Sequence, residues 1–251
     1  MFLRKMLLIE IQDDGFSLAA ANKKEILAYE HFSHGIQNGL SDIVNFKQVH
    51  KITENTTRLV LKSKQLIFRF ATFPVMKRNE LDFAAKSKIA DLFPIDLKQY
   101  VVDYKSQKLD GSIEVMYAGA PSVMLERCTE SLKEIKQKAV VVDVFQSCIA
   151  RCLPNPDYCL LLSLSQSISL TIVEKGRIIA INEIPFDNSN DNNETFMELN
   201  RFFGIRKRDE KTIYMEEKLF LLEPYFKERG FEVQWIDPVL LVFAGLLLRK
   251  P

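Results

Sequence analysis

Neither sign of charge prevails in this sequence: 34 lysines and arginines stand against 33 aspartates and glutamates, spread along all 251 residues. Nucleic-acid binding concentrates basic side chains in a stripe, and a disordered acidic tail concentrates carboxylates, so the composition indicates neither. Long apolar runs are lacking too. The longest, Val239 to Leu248, is broken only by Gly245 and as a helix would cover about half of a bilayer core, so it reads as a buried helix. Near the start, Arg4 and Lys5 precede an apolar stretch that ends at Glu10, too short for a signal peptide, and the expected location is the cytoplasm. The cysteines (Cys128, Cys148, Cys152, Cys159) form no C-x-x-C pair and have no histidine near them in sequence, which argues against zinc. Cys148 and Cys152, four apart, suit one buried helix face as reduced thiols. His31, His34 and His50 are scattered without a matching carboxylate pair, and read as ordinary side chains. With no G-x-S-x-G, P-loop or G-x-G-x-x-G, a hydrolase or dinucleotide-binding reading has no residues to rest on.

What is present is an internal repeat. Leu7-Leu8-Ile9-Glu10-Ile11-Gln12 matches Leu160-Leu161-Leu162-Ser163-Leu164-Ser165. After a one-residue offset, Phe16-Ser17-Leu18 matches Ile168-Ser169-Leu170, and Glu25 to Tyr29 matches Arg177 to Ile181. Each block predicts three strands joined by tight turns. Each half closes alike, with an apolar strand, an aspartate (Asp143, Asp237) and a helix, and Pro238 suits the first turn of the last one. A duplicated meander followed by α/β elements predicts an α/β, actin-like (ribonuclease H-like, duplicated) fold with a reduced second half. The expected halves are 1–154, with an inserted subdomain at about 72–135, and 155–251, lacking most of its own insertion. Between the meander and the closing elements of the first half the sequence predicts strands over Thr57 to Lys62 and Leu66 to Phe70, a helix from Asn79 to Leu92, a hairpin around Asp110-Gly111 and a helix from Ser122 to Gln137. In the second half it predicts one helix near Glu194 to Phe203.

The stretch Arg69-Phe70-Ala71-Thr72-Phe73-Pro74-Val75-Met76, then Asn79-Glu80-Leu81, Phe93-Pro94-Ile95-Asp96 and Val102-Asp103-Tyr104 resembles the PilM family of type IV pilus assembly. Phe243 to Arg249 resembles that family's closing A-x-GLA-x-R helix. The resemblance implies a cytoplasmic scaffold, recruited to the inner face of the cell membrane only through its partners. Those would be the tail of a PilN-like membrane protein and other assembly components, including assembly ATPases. It also leaves open an ATP-binding PilM-like protein, or the related cytoplasmic module of type II secretion.

Actin-like ATPases grip phosphates with two hairpin turns whose small residues let backbone N–H groups approach. In this sequence the first turn carries Glu10, Gln12 and Asp13, with Gln12 where the family has glycine. Ser163 and Ser165 stand where the second turn should have Asp and Gly, and Met215 and Glu216 replace the adenosine-side glycines. These positions read as degenerate, so no catalysis and no cofactor are expected, ATP with Mg being the disfavoured alternative. Asp187, Ser189, Asp191, Asn193 and Glu198 fall at calcium-loop spacing, but Asn192 replaces the turn glycine, and the stretch reads as a polar loop with no metal. For the partner, the aromatic set Phe93, Tyr100, Tyr104 and Tyr117 offers anchors for an extended apolar peptide, in a groove expected between the first half's main body and its insertion.

Overall fold

The structure, a computed structural model, describes residues 4–93, 96–186, 193–205 and 212–249. Strands β1–β13 and α-helices α1–α7 are numbered along these residues. Contacts divide the chain into two compact units, Met1–Lys64 with Ser131–Pro251, and Gln65–Glu130.

The larger unit holds two five-stranded sheets of like topology. In the first, β1 (Met6–Gln12), β2 (Phe16–Ala21) and β3 (Ile26–Phe32) form an antiparallel meander. After α1 (Leu40–Val49), β4 (Thr56–Lys62) and β8 (Lys138–Val144) join parallel to β1, giving the order β3-β2-β1-β4-β8. Leu7, Leu8, Ile9 and every residue of β2 are buried, as strands covered on both faces require. The second sheet repeats the plan with β9 (Tyr158–Ser163), β10 (Ser167–Glu174), β11 (Arg177–Pro185), β12 (Thr212–Glu216) and β13 (Glu232–Ile236), ordered β11-β10-β9-β12-β13. Between β11 and β12 lies α5 (Asn193–Ile205); a 3-10 segment, Glu217–Leu222, and α6 (Glu223–Glu228) follow β12.

The pairing corrects the expected offset in the repeat. Leu8 lies opposite Ala19, Gln12 closes onto Gly15, and Phe16 lies opposite Phe32. In the second half Leu160 lies opposite Thr171, Leu164 closes onto Ser167, and Ile168 lies opposite Ile184. One constant register therefore relates the halves, and Leu162 and Leu164 are the counterparts of Glu10 and Gln12. The leucine-rich run around β9 fits either register by composition, and only the ladder of backbone hydrogen bonds breaks the tie.

Two helices complete the unit, α4 (Phe145–Ala150) and α7 (Pro238–Leu248). A single core cluster joins Leu8, Val60, Phe145, Cys148, Leu160, Tyr214, Phe243 and Leu246, so both sheets and both helices share one apolar interior. Around it runs a polar clasp. Asp143, buried at the end of β8, pairs with Arg151 and with Arg249 (2.9 Å), while Arg58 donates to the carbonyls of Leu246, Leu247 and Arg249 at 2.9, 3.1 and 2.8 Å. Those carbonyls are the orphaned acceptors at the end of α7, and a buried aspartate between two guanidinium groups keeps its charge compensated. At the other end of α7, Asp237 accepts the Val239 amide at 3.0 Å, with Pro238 in the first turn.

The smaller unit is a three-stranded antiparallel sheet, order β5-β7-β6, made of β5 (Ile67–Pro74), β6 (Tyr100–Leu109) and β7 (Ser112–Pro121). The helix α2 (Arg78–Leu92) buries Leu81 and Ala85 in a core with Phe93, Ile113, Val115 and Tyr117, and α3 (Ser122–Glu134) runs on from β7. Strand β5 extends beyond the expected Phe70 to Pro74, which sits at the strand end of an outer strand, where proline's missing donor is tolerated. Two further departures from expectation are the presence of α1 and of the six-residue α6; in α1 only Ile43 and Phe46 are buried while Val44 and Val49 are exposed, so its apolar residues form no single stripe. Among the described residues no helix is long and apolar enough to cross a membrane.

A β-carbon on Gly245 would lie 1.8 Å from the Cys148 carbonyl oxygen, a backbone atom that cannot step aside. Gly245→Ala is expected to cost about 3 kcal/mol or more in urea unfolding, as overpacking against a rigid neighbour does. Gly35→Ala, where nothing lies within 4 Å, should stay close to wild type.

Candidate functional site

In the larger unit the β1–β2 turn borders two cavities of about 540 and 590 Å³, which share Gln12, Asp14, Lys62 and Lys218 in their walls, and the β9–β10 turn borders the first of them. The first also contains Asp13, Ser163, Ser165, Pro185, Glu194 and Thr195; the second contains Ser17, Tyr29, His31, Glu216, Trp235 and Asp237. The lysines were not singled out in the sequence. Their signal lay in the repeat, since Leu59 pairs with Ile9 and Met215 with Leu161, and each lysine stands three residues further on.

The first turn closes by a hydrogen bond from the Gln12 amide to the Gly15 carbonyl at 2.9 Å. Gly15 is obligatory here, because a β-carbon would fall 2.2 Å from the Phe32 carbonyl oxygen. Asp13 turns its carboxylate toward the chain beyond β4, accepting from the Ser63 hydroxyl at 2.5 Å and the Lys64 amide at 3.0 Å. Glu10, only 2% exposed, lies opposite Ser17, and Ser17 lies opposite His31, so the three form a row across β1, β2 and β3. Gln12 donates to Glu10 at 2.8 Å, and Ser17 Oγ lies 3.1 Å from His31 Nδ1. Burial pushes the Glu10 pKa up, opposed by the Lys62 charge, by hydrogen bonds from Gln12 and Ser17 and by His31. The Ser17–His31 contact has the look of a nucleophile with its base, yet Ser17 is 1% exposed and its hydroxyl is engaged with Glu10.

The second turn closes from the Leu164 amide to the Ser167 carbonyl at 2.8 Å, and Ser167 donates to Glu183 at 2.6 Å. The Ser163 amide donates to Glu216 at 2.8 Å, and Glu216 is 4% exposed. Two expectations need correcting. Met215 and Glu216 are residues of β12 itself, Met215 fully buried in the core, because the strand runs further than Tyr214. With the repeat in constant register, Ser163 and Ser165 are the counterparts of Ile11 and Asp13, and the acid and glycine positions of the second turn are held by Leu162 and Leu164.

Of the calcium-loop lookalike, Asp187, Ser189 and Asp191 lie outside the described residues, whereas Asn193 opens α5 and Glu198 lies 3.8 Å from Arg201. Among the described residues no cluster of three metal-ligating side chains occurs. The four aromatic candidates separate. Phe93 and Tyr117 are 1% and 0% exposed within the core of the smaller unit, with the Tyr117 hydroxyl donating to the Ala85 carbonyl at 3.2 Å. They are packing residues rather than anchors: Tyr117 alternates on β7 toward the face that α2 covers, and Phe93 ends α2 over the same core. Tyr100 and Tyr104 are half-buried, and Tyr104 donates to Asp82 at 2.6 Å, which pushes its pKa up to about 12.

Because folding raises the Glu10 pKa, the folded chain keeps a proton that the unfolded chain releases once pH exceeds the ordinary glutamate value, and stability falls as pH climbs through that window. Glu10→Gln keeps the size and the acceptor and removes the titration. It is expected to unfold at higher denaturant than wild type at pH 7 and to converge with it in acid; equal midpoints at pH 7 would contradict the burial argument.

Comparison with protein-family models and with curated sequences finds no match. Solved structures do match. PilM, from the structure of a PilM–PilN type IV pilus biogenesis complex, is similar with a TM-score of 0.78 at 16% identity, over 98% of this chain and 99% of that one. The cytoplasmic domain of EpsL, an inner-membrane component of the type II secretion system of Vibrio cholerae, gives 0.64 at 13% identity over 98% and 96%. A Bacteroides thetaiotaomicron protein with an actin-like ATPase fold and unknown function gives 0.61 at 13% identity, again over 98% and 96%. From end to end, this chain has the actin-like ATPase fold in its PilM-like form.

Proposed function

We propose that this chain is a scaffold without catalysis, which binds the cytoplasmic tail of a PilN-like membrane protein and is held at the inner face of the membrane through that partner. The observation that carries the reading is the likeness to PilM of the PilM–PilN complex, at a TM-score of 0.78 over 98% of the chain, the Gln65–Glu130 insertion included. Supporting it, the turns that cradle phosphate in actin-like ATPases are here tied up by Asp13 and Glu216, while the insertion keeps a complete sheet, helix and core. A scaffold can lose a phosphate cradle and keep a docking surface. Other assembly components, the assembly ATPases among them, would meet the complex that forms on it. A cytoplasmic module of type II secretion is the second reading; the EpsL likeness favours it, at the lower score of 0.64.

Tyr100 and Tyr104 are the anchors this reading assigns, each offering ring surface at little entropic cost. Calorimetric titration with a peptide of the first dozen or so residues of the cognate PilN-like protein should show saturable binding. Tyr104→Ala is expected to weaken it about 30-fold, corresponding to about 2 kcal/mol for a true anchor. Phe93→Ala and Tyr117→Ala should instead unfold the smaller unit, at about 3–5 kcal/mol for a buried ring such as Phe93. No binding by wild type at any salt concentration would refute the scaffold role. Unaltered binding by folded Tyr104→Ala would move the anchors elsewhere.

A further inference from the structure

Each of the two cavity turns is tied to its neighbouring parallel strand by a carboxylate, and the two carboxylates reach in opposite directions. Asp13, in the first turn, reaches the Ser63 hydroxyl and the Lys64 amide just past β4. Glu216, at the end of β12, reaches back to the Ser163 amide at the end of β9. The fold itself does not demand this acid. Strands β4 and β12 are equivalent, and since Leu59 pairs with Ile9 and Met215 with Leu161, the seat of Glu216 is held in the first half by Val60, which is fully buried. There the β1–β4 ladder runs on, with Ile11 opposite Leu61 and Gln12 opposite Lys62, so backbone pairing serves where the β9–β12 ladder has already stopped at Leu161 opposite Met215. A carboxylate that is 4% exposed must instead find donors and counter-charge. The donor is the Ser163 amide, a backbone N–H beside a hairpin turn of the kind that elsewhere faces an oxyanion. The positive charge sharing its cavity comes from Lys62 and Lys218.

We infer that Glu216 is a resident anion, an internal carboxylate that takes the place of an external oxyanion beside the second turn, orders that turn without a ligand and closes the cavity to phosphate-like groups. The device is autoinhibitory in the literal sense: the chain supplies the negative charge that Lys62, Lys218 and the Ser163 amide would otherwise draw from solution. Asp13 adds a second negative charge on the facing turn and makes displacement harder. The inference concerns the larger unit alone, and stands or falls independently of any tail docked on Gln65–Glu130.

The test is amide exchange at Ser163, followed by NMR with and without inorganic tripolyphosphate, on wild type and on Glu216→Val, which installs the first half's residue. In wild type the Ser163 amide should exchange slowly and ignore millimolar tripolyphosphate. In Glu216→Val it should exchange at least about 10-fold faster, as a local opening would allow, and tripolyphosphate should slow it again and raise the melting temperature of the variant alone. Unchanged exchange in Glu216→Val, or protection of wild type by tripolyphosphate, would overturn the inference. Faster exchange with no tripolyphosphate response would likewise overturn it, because the vacated place would not be an anion site. Should the valine variant fail to fold, Glu216→Gln keeps the volume and the acceptor and removes the charge. A rise of its melting temperature with tripolyphosphate is then expected, and no rise contradicts the proposal.

Discussion

The carbonyl oxygen of Cys148 occupies the space that any side chain at position 245 would need, and the arrangement of the larger unit depends on that close approach. Only a glycine lets α7 meet α4 backbone to backbone, and the two helices are what both sheets pack upon. Interiors close-packed to this degree do not absorb an added methyl group by small shifts. The clasp around Asp143 follows from the same contact. Once α7 lies against α4, Arg151 and Arg249 come within reach of one buried carboxylate, and Arg58 reaches the last carbonyls of α7. The clasp stabilises the crossing mainly by keeping Asp143 and the last carbonyls of α7 paired, since breaking one partner of such a group costs far more than the intact set contributes.

Holding the sheets in this way sets the two hairpin turns beside one common cavity, the place where actin-like enzymes bind phosphates. The fold therefore supplies the location, and the side chains decide what can be done there. A phosphate-binding turn works by presenting uncommitted N–H groups to an anion. Here the Ser163 amide beside the second turn already donates to Glu216, and in the first turn the Asp13 carboxylate is itself held by the Lys64 amide past β4, bonds to charged acceptors typically worth about 1.5–3 kcal/mol each. An incoming anion would have to exceed those bonds while facing two more carboxylates in the walls, Asp14 and Glu194. The same fold with a different dozen side chains is a different chemical object.

Much of the fold was legible because duplication doubles every weak signal. The two meanders, the paired aspartates before the closing helices and the hairpin at Asp110-Gly111, where Gly111 takes φ 82°, all announce themselves by pattern and turn chemistry. The register of the repeat did not, because Leu160, Leu161 and Leu162 present apolar side chains to both faces, and an alternation of identical residues carries no phase. The site was legible only by default. That Gln12 is not a glycine is visible in the sequence; that its counterpart is Leu164 rather than Ser165 is visible only in the pairing. That Glu216 crosses to Ser163, 53 positions earlier, is a long-range hydrogen bond with no local signature. The aromatic set shows the opposite error. The pairing sets Tyr104 opposite Tyr117, but a face cannot be assigned to partner or core from alternation until its cover is known, and the cover over Tyr117 is α2.

We propose that the cleft of this actin-like fold is not a nucleotide site, and calorimetric titration of the full chain with Mg-ATP tests this most directly. No saturable heat is predicted up to millimolar nucleotide. A single-site isotherm with a dissociation constant in the low micromolar range, a free energy of about −8 kcal/mol, could not arise from a cavity walled by Asp13, Asp14 and Glu194, and would contradict it.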